Sequence, residues 1–211
     1  EEAIEMIKSC GEEVPSWITD MVDSGANSFY IFEDGKKKFY DINTKKYINV
    51  PSSENHYILD AFRENKQILK NPECTIHDIG DGVMCIEFQT KGNSIGEGIA
   101  KGINEAIDIA ERDGWNGIVI GNNDKQFSVG ANLMNMGMMA MQKNFDDIEK
   151  FLVGFQKILM RMRTCNVPVV SATHGFVMGG GLEVSIHCDA GIHASESYIG
   201  LVEAGVGLIP G

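Results

Sequence analysis

Positive charge is scarce in this 211-residue chain: 18 Lys and Arg stand against 30 Asp and Glu, for a net charge of −12. A nucleic-acid binder needs a basic footprint to neutralise phosphates, and anionic lipid attracts polybasic segments, so no nucleic-acid or membrane-surface partner is expected. An anionic small molecule is still admissible if its site is built from backbone N–H groups. Cysteine is sparse as well. Cys10, Cys74, Cys85, Cys165 and Cys188 are odd in number, scattered and without a CxxC pair. That is the pattern of reduced thiols in a cytoplasmic protein, not of a secreted disulfide framework. A basic leader is missing too: EEAIEMIKSC is acidic from its first residue, which does not fit a signal or transit peptide. With no initiating Met, the chain is expected to begin inside a longer protein. The uncharged run 164–182 is long enough to raise the question of a membrane span. Asn166, Pro168, His174 and four glycines divide it into strand, loop and turn, so no span is expected.

What is present is globular: 43% hydrophobic and 23% charged residues suffice for a packed core. Residues 1–74 differ in texture from the rest. Residues 2–10 and 16–24 read as two short helices separated by Gly11 and Pro15. SFYIFEDGKKKFYDI alternates aromatic and polar residues around Asp34-Gly35, a hairpin signal. After the linker-like residues 51–55, Tyr57, Ile58, Phe62, Ile68 and Leu69 suggest one more amphipathic helix before Pro72. From residue 75 strands and helices alternate. Strands are expected over 75–79, 83–89, 117–120, 168–172 and 190–194, with helices over 95–112, 145–163 and 180–188 and a Met-rich helix near 132–142. This is an α/β domain over residues 75–211, preceded by a small α+β linker segment.

Three patterns match known motifs weakly. Gly92-Asn93-Ser94-Ile95-Gly96 fits GxSxG, with Asp189 and His193 in triad order, but it follows the first hairpin of the domain, before most of a hydrolase sheet exists. Gly96-Glu97-Gly98 with Gly102 resembles a dinucleotide loop whose third glycine is misplaced. His187, Cys188, Asp189 and His193 lie close in sequence but lack metal-ligand spacing, so no metal is expected.

Residues 164–211 contain no Lys or Arg, yet they hold Glu183 and Glu203 in the apolar settings GGGLEVSI and IGLVEAGVG. A carboxyl with no local cation and apolar neighbours has its pKa raised by desolvation, which suits general acid/base work near neutral pH. A place in a first helical turn would account for Glu183 alone, through the macrodipole. It would not account for Glu203 in a glycine-rich loop. Gly179-Gly180-Gly181 opens the helix carrying Glu183, and Phe127-Ser128-Val129-Gly130-Ala131-Asn132 makes a second strand–loop–helix junction. Each junction can aim one free N–H at a developing oxyanion.

The segment VSATHGFVMGGGLEVSIHCDAGIHASESYIGLVEAGVGLIPG closely resembles the signature of the enoyl-CoA hydratase/isomerase (crotonase) superfamily, and GNNDKQFSVGANL resembles its other oxyanion-hole segment. The likeness covers residues 76–211. It implies a spiral of ββα units, assembled as trimers or dimers of trimers, acting on acyl-CoA thioesters without a metal or redox cofactor. By position in the motifs, the oxyanion N–H groups would come from Ala131 and Gly180, and Glu183 and Glu203 match the catalytic pair of hydratases. Asn93, Ser94, Gly130 and Gly179 would face substrate or coenzyme A. Asn132 stands where many members have Asp. The family continues past the position of Gly211 with helices that close the site and build the trimer.

The segment EEVPSWITDMVDSGANSFYIFEDGKKKFYD also resembles the join between a 3-hydroxyacyl-CoA dehydrogenase and a following hydratase in bacterial bifunctional proteins. An NAD-binding domain would then lie upstream. The function implied is hydration of 2-enoyl-CoA in fatty-acid β-oxidation, with 3,2-enoyl-CoA isomerase activity at the same site as the alternative. A serine hydrolase built on Ser94, or a domain inert in this form, are the more distant ones. Finally, NLMNMGMMAMQ places five of the 11 Met residues beside the oxyanion segment. They read either as core or, given the helix-weakening Gly137, as a pliable wall of an acyl site that accepts medium or long chains, so that replacing Met138 and Met139 by Phe would reduce activity on long chains most.

Overall fold

A computed structural model describes residues 2–33, 36–51, 56–62 and 66–211. The chain divides into two compact units, Glu1–Ala61 and Phe62–Gly211. The expected boundary after residue 74 therefore falls earlier, because residues 66–74 join the second unit's sheet.

In the first unit, helices α1 (Glu2–Ser9) and α2 (Ser16–Asp23) precede an antiparallel meander of β1 (Tyr30–Glu33), β2 (Lys36–Asp41) and β3 (Lys46–Asn49). The register Tyr30↔Phe39 to Glu33↔Lys36 agrees with a hairpin, although its turn residues Asp34 and Gly35 lie outside the described residues. The β2–β3 turn is held by Asp41, whose carboxylate accepts the Thr44 hydroxyl and the Asn43 and Thr44 N–H groups. Those bonds, the Thr44 hydroxyl first, hold its pKa below the ordinary value. Met21, Ala26 and Tyr40 form a small core, with Phe29 and Tyr47 packed on it.

The second unit carries a six-stranded sheet in the order β10-β8-β7-β6-β5-β4. Its strands are β4 (Gln67–Lys70), β5 (Cys74–Gly80), β6 (Val83–Phe88), β7 (Gly117–Ile120), β8 (Val169–Thr173) and β10 (Ala190–His193). β4, β5 and β6 are antiparallel neighbours, and β6, β7, β8 and β10 run parallel. β4 replaces the helix expected across 57–69. Asn71 Oδ1 accepts the N–H groups of Glu73 and Cys74 at 2.8 and 2.9 Å, turning the chain so that Leu69 pairs with Ile76. The adjacent apolar pair Ile68-Leu69 carries no period of its own, and the sheet edge decides it. Among the described residues of that stretch only Leu59–Ala61 is helical, as one 3₁₀ turn.

Helix α3 (Glu97–Asp113) crosses the sheet with Ile99, Ile103, Ala106, Ile107 and Ala110 buried at helical spacing. They meet the alternate residues Ile76, Met84, Ile86, Phe88, Ile118 and Ile120 of β5, β6 and β7. Helix α5 (Phe145–Thr164) packs on α3 through Phe155, Ile158, Leu159 and Met162. The opposite sheet face carries a buried polar row: Thr75 bonds Gln89, and Gln89 and His77 both bond the Glu87 carboxylate. Helix α4 (Leu133–Met141) precedes α5, and α6 (Gly180–Ile186) follows a short strand β9 (Phe176–Met178). β9 pairs in parallel with β11 (Tyr198–Gly200), a two-stranded ribbon outside the main sheet. Among the described residues no helix is long and apolar enough to cross a membrane.

Candidate active site

The residues of interest gather where the chain leaves the carboxyl ends of β7 and β8, the end at which open parallel sheets generally bind ligands. After β7, residues 127–132 are threaded between two elements. On one side Ser128 N–H donates to Phe176 O and Met178 N–H to Ser128 O, both at 3.0 Å. On the other, Ile95 N–H donates to Gly130 O at 2.8 Å and Asn132 N–H to Ile95 O at 3.2 Å. The buried Ser128 hydroxyl donates to Asn93 O at 2.7 Å and accepts the Gly130 N–H at 3.1 Å. These bonds fix Ala131, whose N–H has no partner among the described residues.

The second junction lies against the first. A Cβ at Gly130 (φ +92°) would come within 3.1 Å of Gly180 N, and one at Gly180 within 3.5 Å of Ala131 N. The Gly180 N–H opens α6 and, among the described residues, is likewise without a partner. Two free N–H groups therefore stand side by side, as an oxyanion hole requires. The glycine triplet has steric causes: a Cβ at Gly181 would stand 2.7 Å from Ser128 Cβ, and one at Gly179 (φ +50°) 2.7 Å from Glu203 Oε1.

Glu183, one turn into α6, is 7% exposed, and its Oε1 accepts the Gly211 N–H at 2.8 Å. Burial raises its pKa; the Gly211 bond lowers it, the Glu203 charge raises it and His187 lowers it by smaller amounts. Glu203 begins a 3₁₀ turn, Glu203–Val206, and its Oε2 is a buried carboxylate oxygen with no hydrogen-bond partner. A buried acceptor left open costs about 1–3 kcal/mol, so it is an invitation to a ligand. A cavity of ≈ 100 Å³ collects these groups: Ala131, Gly180, Glu183, Glu203 and Gly211 are polar points in a wall otherwise built from apolar side chains such as Ile95, Met136, Phe151 and Phe155.

The raised Glu183 pKa has a consequence for stability. Folding disfavours the ionised form, so the contribution of Glu183 is greatest below its ordinary pKa of 4.5 and is lost as pH rises through the raised folded value. Glu183→Gln keeps an oxygen for the Gly211 N–H and removes the charge. Its melting temperature relative to the parent should therefore climb as pH rises from about the ordinary pKa through the raised folded value. A difference constant across thermal melts in that range would contradict the assignment.

Gly130 and Gly179 line the cavity, whereas Asn93 and Ser94 do not. Asn93 (φ +53°) is buried, its side chain donates to Gln126 O at 2.9 Å, and its own N–H and O are engaged by Thr90 and Ser128. It is a strut that holds the oxyanion segment. The three weak motifs dissolve on the same ground. Ser94 has ordinary extended φ/ψ (−66°, 136°) instead of a strained elbow, while Asp189 accepts Val169 N–H and His193 meets the Thr173 hydroxyl. That corrects the Ser94 hydrolase alternative. At the dinucleotide look-alike, Glu73 Oε2 accepts the Ile99 N–H and fills the α3 N-terminus. A Cβ at Gly98 would stand 2.8 Å from that side chain, and one at Gly102 2.2 Å from Cys74 Sγ. Those glycines serve close packing, and a carboxylate already sits where a phosphate would. Among the described residues no three His, Cys, Asp or Glu side chains cluster to hold a metal.

Sequence reasoning missed Ser128 and the Gly211 N–H, which act through hydrogen bonds that residue type does not announce. It also misread α4. No residue of that helix is buried, so its methionines are not core. Met136 and Leu133 line the cavity; Met138 is 50% exposed and does not. Asn132 caps α4, its side chain accepting the Asn135 N–H.

The fold and these paired junctions define a protein of the crotonase type. The family model described as enoyl-CoA hydratase/isomerase matches residues 78–211, and the chain belongs to that family. Along its whole length it is 37% identical to a "Probable 3-hydroxyacyl-CoA dehydrogenase" of Bacillus subtilis, covering 26% of that protein. It is 34% identical over 94 residues to a "Short-chain-enoyl-CoA hydratase" of Clostridium acetobutylicum, 44% of this chain and 34% of that one. The fold matches an enoyl-CoA hydratase crystal structure from Polaromonas with TM-score 0.62 and 22% identity, over 65% of this chain and 54% of that one. The chain thus spans about a quarter of the dehydrogenase relative and about half of the solved structure.

Proposed function

We propose that residues 62–211 belong to an enzyme that hydrates 2-enoyl-CoA thioesters to 3-hydroxyacyl-CoA. One observation carries the reading: two unclaimed N–H groups, an open carboxylate oxygen of Glu203 and the desolvated Glu183 share one apolar cavity. The thioester oxygen accepts from Ala131 and Gly180. Glu183 takes a proton from a water whose oxygen bonds to Cβ, the C=C pair moves to Cα, and the negative charge reaches the thioester oxygen. Each N–H is worth about 3–4 kcal/mol to that charge. Glu203 delivers a proton to Cα, and proton exchange with solvent returns both carboxyls to their starting states. Neither a metal nor a redox cofactor enters these steps.

The same groups can move a double bond if one glutamate shuttles a proton between Cα and Cγ, which is the isomerase alternative. Two carboxyls around one cavity favour hydration, because water addition needs a base and an acid at once. Offered a 3-enoyl-CoA, the protein should leave it largely unchanged while hydrating the 2-enoyl isomer; rapid migration of the double bond would reverse the assignment. The full-length likeness to a dehydrogenase supports reading residues 1–74 as the end of a dehydrogenase region and its linker, in a cytoplasmic, oligomeric β-oxidation protein whose NAD site lies in another segment.

A further inference from the structure

Hydrogen bonds run in series around the first oxyanion junction and pass over one group. Asn93 N–H donates to Thr90 O at 2.9 Å, and Asn93 O accepts the Ser128 hydroxyl at 2.7 Å. Ser128 Oγ in turn accepts the Gly130 N–H at 3.1 Å. Gly130 O accepts the Ile95 N–H at 2.8 Å, and Ile95 O accepts the Asn132 N–H at 3.2 Å. The group passed over is the Ala131 N–H, between Gly130 and Asn132 in the chain. Every link in the series is main chain except the Ser128 hydroxyl. Resting on the hydratase reading above, we propose that Ser128 is a positioning residue for the reaction. Its hydroxyl holds the Gly130 N–H away from the cavity, and so makes Ala131, not Gly130, the donor that faces the thioester oxygen.

Three features support this. The direction of the hydroxyl is fixed by chemistry: a carbonyl only accepts, so the Ser128 proton goes to Asn93 O and a lone pair is left for the Gly130 N–H. Asn93 has φ +53°, uncommon in a residue other than glycine, at the place where its carbonyl meets that proton. Next, Gly130 has φ +92° and no side chain, so sterics alone do not choose the orientation of its two peptide planes. Its N–H bond to Ser128 and its carbonyl bond to Ile95 choose them. Finally, Ser128 also backs the other junction. A Cβ on Gly181 would stand 2.7 Å from Ser128 Cβ, so the residue directly after the Gly180 donor rests on this side chain. Ser128 is 0% exposed, and without its hydroxyl Asn93 O and the Gly130 N–H lose this partner inside the fold. A turn of the 129–130 peptide toward a bound thioester gives the Gly130 N–H a new acceptor and misplaces the Ala131 N–H.

The test is Ser128→Ala in the intact protein, read with saturated butyryl-CoA isotope-labelled at its thioester carbonyl carbon. Hydrogen-bond donors lower the C=O stretching frequency, so the infrared band of the bound ligand reports on the two N–H groups without turnover. In Ser128→Ala the band should move to higher frequency than in the parent, and kcat for a 2-enoyl-CoA should fall by about 10- to 10²-fold. Affinity for butyryl-CoA should change by less than about threefold, because the donors gain most as charge develops on the oxygen. Thr75→Val supplies the contrast. It removes another buried hydrogen bond, Thr75 Oγ1 to Gln89 Oε1 at 2.9 Å, in the polar row on the other sheet face. Its melting temperature should fall while its band and kcat stay parental. An unmoved band in Ser128→Ala overturns the assignment whatever the rate does, and an equal band shift in Thr75→Val overturns it as general loosening. A shifted band in Ser128→Ala alone, with no 2-enoyl-CoA hydrated by the parent, upholds the positioning role and removes the hydratase reading.

Discussion

Glu183→Gln and Glu203→Gln should each lower turnover of a 2-enoyl-CoA by about 10²–10⁴-fold, the range that a positioned acid or base supplies. Binding of a saturated acyl-CoA should change little, because neither carboxyl is needed to hold a thioester whose oxygen rests on two backbone N–H groups. The double variant should lose less than the product of the two single losses, since base and acid act in one transition state and their effects do not add. Rates and acyl-CoA affinities, measured side by side, check all three statements. Either single variant with near-parental turnover would remove that glutamate from the mechanism.

Gly179→Ala should be nearly as damaging through geometry alone. A Cβ there would stand 2.7 Å from Glu203 Oε1, and the residue's φ/ψ of +50°/−124° lies in the mirror-β region that glycine alone adopts readily. Gly179 also precedes the Gly180 N–H and donates its own N–H to Gly200 O at 2.9 Å, tying the α6 start to β11. A shift that relieves the clash moves an oxyanion donor, the acid, or both, and displacements near 1 Å cost about 10²-fold. We expect about 10²-fold lower kcat with a modest fall in melting temperature. Gly205→Ala, where a Cβ would meet nothing within 4 Å and φ is not left-handed, supplies the contrasting loop variant. Unimpaired turnover in Gly179→Ala would show that the Gly179–Glu203 contact does not fix the site.

Glu183 and Glu203 were legible because charge in an uncharged, cation-free stretch is conspicuous, and the glycine triplet was legible because a helix rarely starts with three. The strands 74–80, 83–88 and 117–120 and the long helices were legible from period alone. What resisted was contact-dependent. The strut made by Asn93 was not legible because its engagement with Gln126 and Ser128 is made across more than 30 residues of sequence. The strand at Gln67–Lys70 was hidden because its apolar pair fits a helix equally well until Asn71 turns the chain. The ribbon of β9 and β11 was not foreseen: three-residue strands give no period to read. The methionines of α4 invited a choice between core and wall, and only burial separates Met136, which lines the cavity, from Met138, which does not.

The central claim is that one cavity adds water across a 2-enoyl-CoA by a base and an acid that share its wall. The most direct measurement is incubation of the intact protein with trans-2-enoyl-CoA in D₂O, with mass analysis of the product. The account predicts 3-hydroxyacyl-CoA carrying one deuterium at Cα, lost in the Glu183→Gln and Glu203→Gln variants together with the hydroxyl. Deuterium appearing in unhydrated enoyl-CoA, with the double bond moved and no hydroxyl gained, would contradict it.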